Sequence, residues 1–408
     1  MRFNRLDSVR GIAALSVAAF HVGQSAYLYQ GGPTLDQLVH PEAEQDVVMR
    51  WAATIYKLFF NGGALSSSVL MFFVLSGFVL TGSLSKKAKP NVYSFAEFMI
   101  LRIFRIFPAV FFAIIVFVVF YGTTGFSLTA PSNFNVVSVL KNATLLTVSI
   151  DGVCWSLQAE WFGTFLIFAM YLATVYSGRW VVIAICAVLA AASMFPGYAK
   201  LVTLNGGPSR IAYLHAFAFG AASYHFGKVW WDGADRRVQW SVLIIGLVLF
   251  YQATVMITGT LSTTSMREAS VAITIQAMAA SVIISIIAFG RLDLGVLDWR
   301  VVRFYGDISY SFYLLHPLTL TILFSGIVNK GSSVPAMIWS VIDFGIPKPV
   351  LAMILTILTV LIITPLAYLS WYFIERPGIF LGKRIVQWGS RYKLPLGAAI
   401  QTDSAISP

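Results

Sequence analysis

The feature that most constrains this chain is a series of apolar runs, each about as long as a helix that crosses a bilayer. A transmembrane helix needs about 20 predominantly apolar residues. Ten such runs occur, at about 9–29, 65–84, 104–122, 157–177, 180–197, 211–228, 240–258, 270–290, 304–326 and 350–374. Only 11% of the residues are charged, whereas soluble domains carry about 25%. The sequence therefore predicts an all-α polytopic membrane protein with about ten transmembrane helices.

The basic residues predict the orientation of these helices. With the N-terminus inside, twenty of the 28 lysines and arginines fall in inner loops and ends, and eight fall in outer loops. Because basic residues favour the cytoplasmic side, both termini are expected there. The net charge of +11 is scattered over short loops. We therefore expect the bilayer, and not a nucleic acid, as the partner of these charges.

One membrane domain accounts for most of the chain. We assign residues 1–380 to a transmembrane domain and 381–408 to a short cytoplasmic tail. The first apolar run carries Arg10 and lacks a small-residue cleavage site, so no cleaved signal peptide is expected. Cys154 and Cys186 have no CxxC spacing and no nearby histidine ligands. Neither a disulfide framework nor a metal site is predicted.

The first run places two ionisable residues on one helix face. Arg10 and His21 are separated by about three helical turns, roughly 16 Å along the axis. Arg10 then lies at a membrane surface and His21 near the midplane, where an ionisable residue is costly and marks a candidate site. Alternatively, His21 caps a polar group of a neighbouring helix, and Asp7 with Arg10 forms a simple interfacial ion pair.

A basic stretch leads into the third run. Arg102 and Arg105 are three residues apart and share a helix face, with Pro108 one turn later. Two explanations are open. Paired arginines at an inner membrane edge bind lipid phosphates and set topology, or they hold a phosphorylated donor such as an acyl-coenzyme A, whose phosphates suit guanidinium groups.

The fourth run begins with aromatic and polar residues in the segment WSLQAEW. Trp155 and Trp161 fit an aromatic belt at the outer interface. Ser156 is expected to cap the helix, and Glu160 follows at the first turn or just past it. Glu160 either complements the helix dipole or acts as an acid, a base or a hydroxyl-binding group.

The ninth run carries a polar stripe. Ser309, Tyr313 and His316 follow a helical spacing, and Pro317 allows a kink inside a bundle. Because a polar stripe is penalised against lipid, we expect it to face the bundle interior. The tenth run ends at Glu375, before Pro377, which is expected to stop the helix.

These segments together resemble the membrane acyltransferase 3 family. The matching features, in the family's order from about residue 4 to 380, are Arg10 with His21, FFVLSGFVL (72–80), RIFRIFP (102–108), WSLQAEW (155–161), SYSFYLLHP (309–317) and IERP (374–377). The resemblance implies transfer of an acyl group, commonly acetyl, from cytoplasmic acyl-coenzyme A to a hydroxyl of a carbohydrate or glycolipid. Many members are bacterial inner-membrane enzymes that modify surface polysaccharide.

The resemblance also implies site residues. Arg10 and His21 match the essential pair, and Glu160 matches the acidic position of the WSLxxE segment. Together these give the candidate catalytic residues His21, Arg10 and Glu160. Arg10, Arg102 and Arg105 are the candidate donor-binding residues, and Trp155, Ser156, Tyr313 and His316 are candidate substrate-binding residues. Structural support of the first helix is an alternative role for the segment with Tyr313 and His316.

The chemistry of the transfer assigns His21 a role. A histidine is suited to take a hydroxyl proton because its unperturbed pKa is about 6.5. We expect His21 to act as general base or as a transient acyl carrier. The alternatives are a transporter or flippase, in which His21, Glu160 and His316 form a proton path, and a membrane scaffold without catalysis.

Overall fold

The computed structural model describes residues 4–29, 47, 67–86, 90–195, 210–258, 266–328, 346 and 348–391. The regular secondary structure among these residues is entirely helical. The helices are α1 (Asn4–Tyr29), α2 (Ser67–Leu84), α3 (Val92–Thr124), α4 (Val136–Ala143), α5 (Trp155–Ser177), α6 (Val181–Ser193), α7 (Leu214–Trp231), α8 (Arg236–Thr258), α9 (Met266–Phe289), α10 (Arg300–Val328), α11 (Lys348–Ser370) and α12 (Arg376–Arg391). Short 3₁₀ turns precede α4, α5, α7 and α10, and a π-turn, Trp371–Glu375, joins α11 to α12.

The described helices agree with the all-α prediction. Among the described residues, four helical stretches are long and apolar enough to cross a membrane: Val92–Thr124, Gly152–Ser177, Ser270–Phe289 and Val350–Gly389. Two shorter apolar helices, Ser68–Leu84 and Val181–Ser193, accompany them. The outward faces of α3, α8 and α11 expose large apolar side chains such as Phe111, Ile244 and Leu361, as expected of lipid-facing helices. Ten spans and cytoplasmic termini stay predictions.

Two helices are longer than the sequence predicted. α3 begins at Val92, about three turns before the expected start, because Asn91 and Ser94 form a capping box: the Asn91 side chain accepts from the Ser94 N–H and the Asn91 N–H donates to Ser94 Oγ. Pro377 does not stop the last span, because the helix continues through the π-turn, where the Arg376 N–H donates to the Trp371 carbonyl, into α12. The predicted tail thus begins within α12, and its residues 392–408 lie outside the described residues.

Glycine contacts bring α1 and α10 together as a parallel pair. A Cβ on Gly11 would lie 2.5 Å from the backbone nitrogen of Gly306, and one on Gly306 would lie 2.5 Å from the carbonyl oxygen of Asp7. Only glycine permits this approach, which is a common way for membrane helices to pack. Because the two helices run in the same direction, residues ten positions further along each, near His21 and His316, also meet.

Polar contacts fix the beginning of α1. Arg5 donates to Asp298 Oδ2 through Nε and Nη2 at 2.9 and 2.7 Å, and Ser8 Oγ donates to the Leu297 carbonyl at 2.6 Å. Arg303 binds the other oxygen of Asp298 at 2.9 Å. The hydrogen bond from Arg5 is the largest cause that lowers the pKa of Asp298. The turn before α10 therefore fixes the position of α1 along its own axis relative to α10.

Candidate active site

A pocket opens between α1, α2, α3, α5 and α10. It encloses about 710 Å³ of empty space, part of which is open to the surroundings. Its lining is apolar apart from eight side chains that carry hydroxyl, guanidinium or carboxylate groups: Arg10, Ser76, Arg102, Arg105, Ser156, Glu160, Tyr310 and Tyr313. We call this space the arginine pocket. Six of the nine predicted site residues therefore share one cavity.

Glu160 is held by two partners inside the arginine pocket. Arg102 forms a salt bridge with Glu160 Oε1, and Ser76 Oγ donates to the same oxygen at 2.6 Å. The side chains of Arg102 and Glu160 are 6% and 20% exposed. A buried carboxylate needs such partners, since an unpaired buried charge is strongly destabilising. Glu160 is thus tied to α2 and α3 and does not simply complement the dipole of α5.

The other two arginines of the pocket differ in their pairing. Arg10 Nη1 lies 2.8 Å from Asp7 Oδ1, so the ion pair considered from the sequence does form. Arg105 forms no ion pair with any residue that the structure describes. In the same part of the chain, Nε of Arg102 is buried without a hydrogen-bond partner. The pocket therefore contains more guanidinium donors than its carboxylates satisfy, which suits an anion.

Ser156 joins α5 to α10, and its predicted role as a helix cap is wrong. α5 begins at Trp155, and the preceding 3₁₀ turn is capped by Asp151, whose side chain accepts from the Val153 N–H. Ser156 Oγ lies 2.9 Å from Tyr313 Oη, and Tyr313 Oη donates to the Val153 carbonyl at 3.0 Å. Tyr313 therefore fixes the start of α5 against α10. The polar stripe of Ser309, Tyr313 and His316 is buried, as predicted.

Trp161 packs against the middle of α3 and not against its end, and an aromatic belt at the outer interface stays a prediction. α3 and α5 run antiparallel: the Phe95 and Phe168 rings lie 4.8 Å apart, and those of Phe107 and Trp161 lie 5.6 Å apart. Trp155 instead packs inward, with its ring 6.1 Å from Phe73.

The depth of α5 follows from the contact between Arg102 and Glu160. Thr124, the last residue of α3, is 22 residues beyond Arg102, or about 33 Å of helix. Glu160 is only five residues beyond the first residue of α5, or about 8 Å. The start of α5 therefore lies about 25 Å short of the end of α3. Residues 125–154 return along α3, where the Phe134 and Tyr121 rings stack at 4.0 Å.

His21 lies outside the lining of the arginine pocket and contacts His316. The two ring centroids are 5.5 Å apart with an angle of 24° between the planes. The ring centroids of Tyr313 and His316 are 5.7 Å apart. His316 is fully buried, whereas His21 is partly exposed. Tyr313 and His316 thus connect the arginine pocket with His21.

Three polar residues near the site were not among the predicted site residues. Ser76 binds Glu160, Tyr310 Oη donates to the Ile106 carbonyl at 3.0 Å, and buried Glu375 accepts from Ser311 Oγ at 2.9 Å. A small polar residue inside an apolar run was the available signal for Ser76. Among the described residues, no group of three or more histidine, cysteine or acidic side chains is placed to hold a metal ion.

Comparison with known proteins gives one match. A family model described as an acyltransferase domain matches residues 3–369, which is most of the chain. No curated protein and no solved structure matches.

Proposed function

Because the chain belongs to the acyltransferase 3 family, we propose that this acyltransferase moves an acyl group, acetyl by default, from cytoplasmic acyl-coenzyme A to a hydroxyl of a carbohydrate or glycolipid. The observation that carries the proposal is the arginine pocket, whose three guanidinium groups lie beside a buried polar connection to His21. A phosphorylated, thioester-bearing donor has chemistry that matches both parts.

The arginine pocket is the proposed site for the phosphates of the donor. Arg105 has no ion-pair partner among the described residues, so its guanidinium group has donors left for an anion, and Arg102 adds a second positive charge to the pocket lining. Guanidinium groups bind phosphate through paired, charge-assisted hydrogen bonds. The pantetheine arm then extends along α1 from Arg10 towards His21, about 16 Å further along the helix.

His21 is the proposed general base. It takes the proton of the acceptor hydroxyl as the oxygen attacks the thioester carbonyl, which forms an oxygen–carbon bond and breaks the carbon–sulfur bond. The proton then passes from His21 to the departing thiolate of coenzyme A. The bundle supplies position and excludes water, which are the main requirements for a thioester that is already reactive.

We further propose a bacterial inner-membrane protein with ten spans and both termini in the cytoplasm. The distribution of the 28 basic residues supports this orientation. Arg10 then lies nearer the cytoplasm than His21, so the donor enters from the cytoplasmic side. The acceptor is expected at the periplasmic side, which His21 approaches more closely.

The first test measures transfer by purified protein with radiolabelled acetyl-coenzyme A and a glycan extract of the host envelope. His21→Ala should abolish label transfer, because the general base is lost. His225→Ala is the matched control, since His225 lies on α7 against Tyr224 and Phe226, and it should keep wild-type activity. Transfer by His21→Ala at more than a few per cent of the wild-type rate would refute the assignment of the base.

The second test concerns sidedness. In proteoliposomes of defined orientation, acetyl-coenzyme A supplied only at the cytoplasmic face should acetylate acceptor supplied only at the opposite face. Product that forms only when both substrates share the cytoplasmic face would contradict the crossing. The enzyme would then modify a precursor before export.

A further inference from the structure

The proline after His316 determines which nitrogen of that ring carries the hydrogen. Pro317 lies inside α10 and has no N–H, so the Tyr313 carbonyl lacks its usual helical donor. Nδ1 of His316 lies 2.6 Å from that carbonyl oxygen. Because a carbonyl only accepts, Nδ1 must carry the hydrogen, and Nε2 of the neutral ring is left with a lone pair.

That lone pair is buried and has no partner in the part of the chain that the structure describes. Nε2 of His316 has no hydrogen-bond partner among the described residues, and the residue has an exposed fraction of 0%. Leaving a buried polar atom unpaired costs about 1–3 kcal/mol. Such an atom in a folded protein requires an explanation.

The surroundings of His21 supply an explanation for the unpaired Nε2 of His316. A catalytic base is usually oriented by a third group, often a carboxylate. In the described part of the chain, neither His21 nor His316 has a carboxylate partner, and the polar side chain against the His21 ring is His316. The ring of Phe20, 5.5 Å from that of His21, is apolar and offers no acceptor.

We propose that His316 is the positioning residue of His21, and that its Nε2 lone pair stabilises the positive charge that His21 acquires when it takes the hydroxyl proton. This inference rests on the proposed function. His316 itself gains no proton: the proton moves from the hydroxyl to His21 and then to the thiolate. A fixed acceptor in a buried site stabilises a developing charge far more than an acceptor in water does. The Tyr313 carbonyl and Pro317 hold the ring in the form that can do this.

Two conservative variants separate this role from a packing role. His316→Asn keeps an N–H near the Nδ1 position, which still donates to Tyr313, but has no acceptor at the Nε2 position. His316→Gln reaches the Nε2 position with a carbonyl oxygen but loses the donor to Tyr313. Stabilisation of His21 predicts that kcat falls roughly ten- to hundredfold in the asparagine variant and less in the glutamine variant. The KM for acetyl-coenzyme A should stay at the wild-type value in both.

The outcomes are distinct. If His316 has a purely structural role, kcat should fall more in the glutamine variant than in the asparagine variant, because asparagine preserves the bond to Tyr313. That order would overturn the inference. An unchanged kcat in both variants would also overturn it. Pro317→Ala gives an independent measurement, because it restores an N–H to the Tyr313 carbonyl and frees Nδ1, and it should lower kcat while the imidazole stays. Wild-type protein that transfers no label would instead refute the proposed function.

Discussion

Replacing each arginine of the pocket separately distinguishes donor binding from structural support. Arg105 lines the pocket without a described ion-pair partner, whereas Arg102 is paired with Glu160 in a largely buried setting. Arg105→Ala therefore removes a cation that has no direct ion pair among the described residues, and Arg102→Ala removes the main partner of a buried carboxylate. The two arginines belong to the same sequence motif, but their replacement should have different effects on donor binding and on stability.

The expected magnitudes follow from these surroundings. A charge-assisted hydrogen bond is worth about 1.5–3 kcal/mol, so Arg105→Ala should raise the KM for acetyl-coenzyme A roughly 10- to 150-fold. Its thermal stability should stay near the wild-type value. Arg102→Ala leaves the Glu160 carboxylate bound to the Ser76 hydroxyl without its salt bridge. Breaking a buried pair costs about 3–5 kcal/mol.

The assay combines acetyl-coenzyme A kinetics with thermal unfolding in the same detergent. Arg237→Ala, which removes an exposed arginine of α8, is the control for charge and should change neither quantity. Adding Glu160→Gln to Arg102→Ala should recover part of the lost stability, because the carboxylate no longer needs a counter-charge. The reasoning is refuted if Arg105→Ala leaves the donor KM unchanged, or if Arg102→Ala unfolds at the wild-type temperature.

Three further predictions concern the frame around the site. Gly306→Ala should destabilise the protein, because its Cβ would lie 2.5 Å from a carbonyl oxygen of α1. Gly122→Ala should be neutral or stabilising, because its Cβ would have no neighbour within 4 Å. The unfolding temperatures of the two variants test this prediction. Tyr313→Phe should cost about 0.5–1.5 kcal/mol by removing one buried hydrogen bond to the Val153 carbonyl, which keeps the Ser156 hydroxyl as a donor, and an unchanged unfolding temperature would contradict this. The pKa of Asp298 is lowered mainly by the hydrogen bond from Arg5, so its stabilising effect is present above the ordinary aspartate pKa of 3.8 and is lost as the pH falls through the lower folded value. The difference in stability between wild type and Asp298→Asn should therefore shrink on acidification. A difference that grows as the pH falls would contradict this prediction.

The positions of the helices were largely readable from the sequence because apolar runs are local. The lengths were not. The stretch before Arg102 contains lysines, a proline and an asparagine, which predicted a loop, yet Asn91 and Ser94 together cap a helix there. The consequence is that Arg102 and Arg105 lie three turns inside α3 and not at its edge. A capping box with serine at the third position is a weak helix signal when three lysines and an asparagine in the same stretch favour a loop.

The composition of the site was predicted better than its geometry. Arg10, Arg102, Glu160 and Tyr313 do share one pocket, because each is a polar residue in an apolar helix and has to face the interior. Their relative depth could not be predicted, since it depends on the path of residues 125–154. That segment returns along α3 through contacts such as Tyr121 with Phe134, which are not encoded in local periodicity.

The depth of α5 bears directly on how two substrates could meet. The contact between Arg102 and Glu160 places the start of α5 beside the arginine pocket, and Tyr313 binds the first turn of that helix. His21 contacts His316 on the parallel pair α1 and α10 and lies outside the pocket lining, about 16 Å along α1 from Arg10. An extended donor anchored at the arginines would therefore reach past Tyr313 to bring its thioester to His21. An acceptor approaching from the other end of α1 would meet the thioester without entering the arginine pocket, and this separation would let a charged donor and a carbohydrate use different entrances.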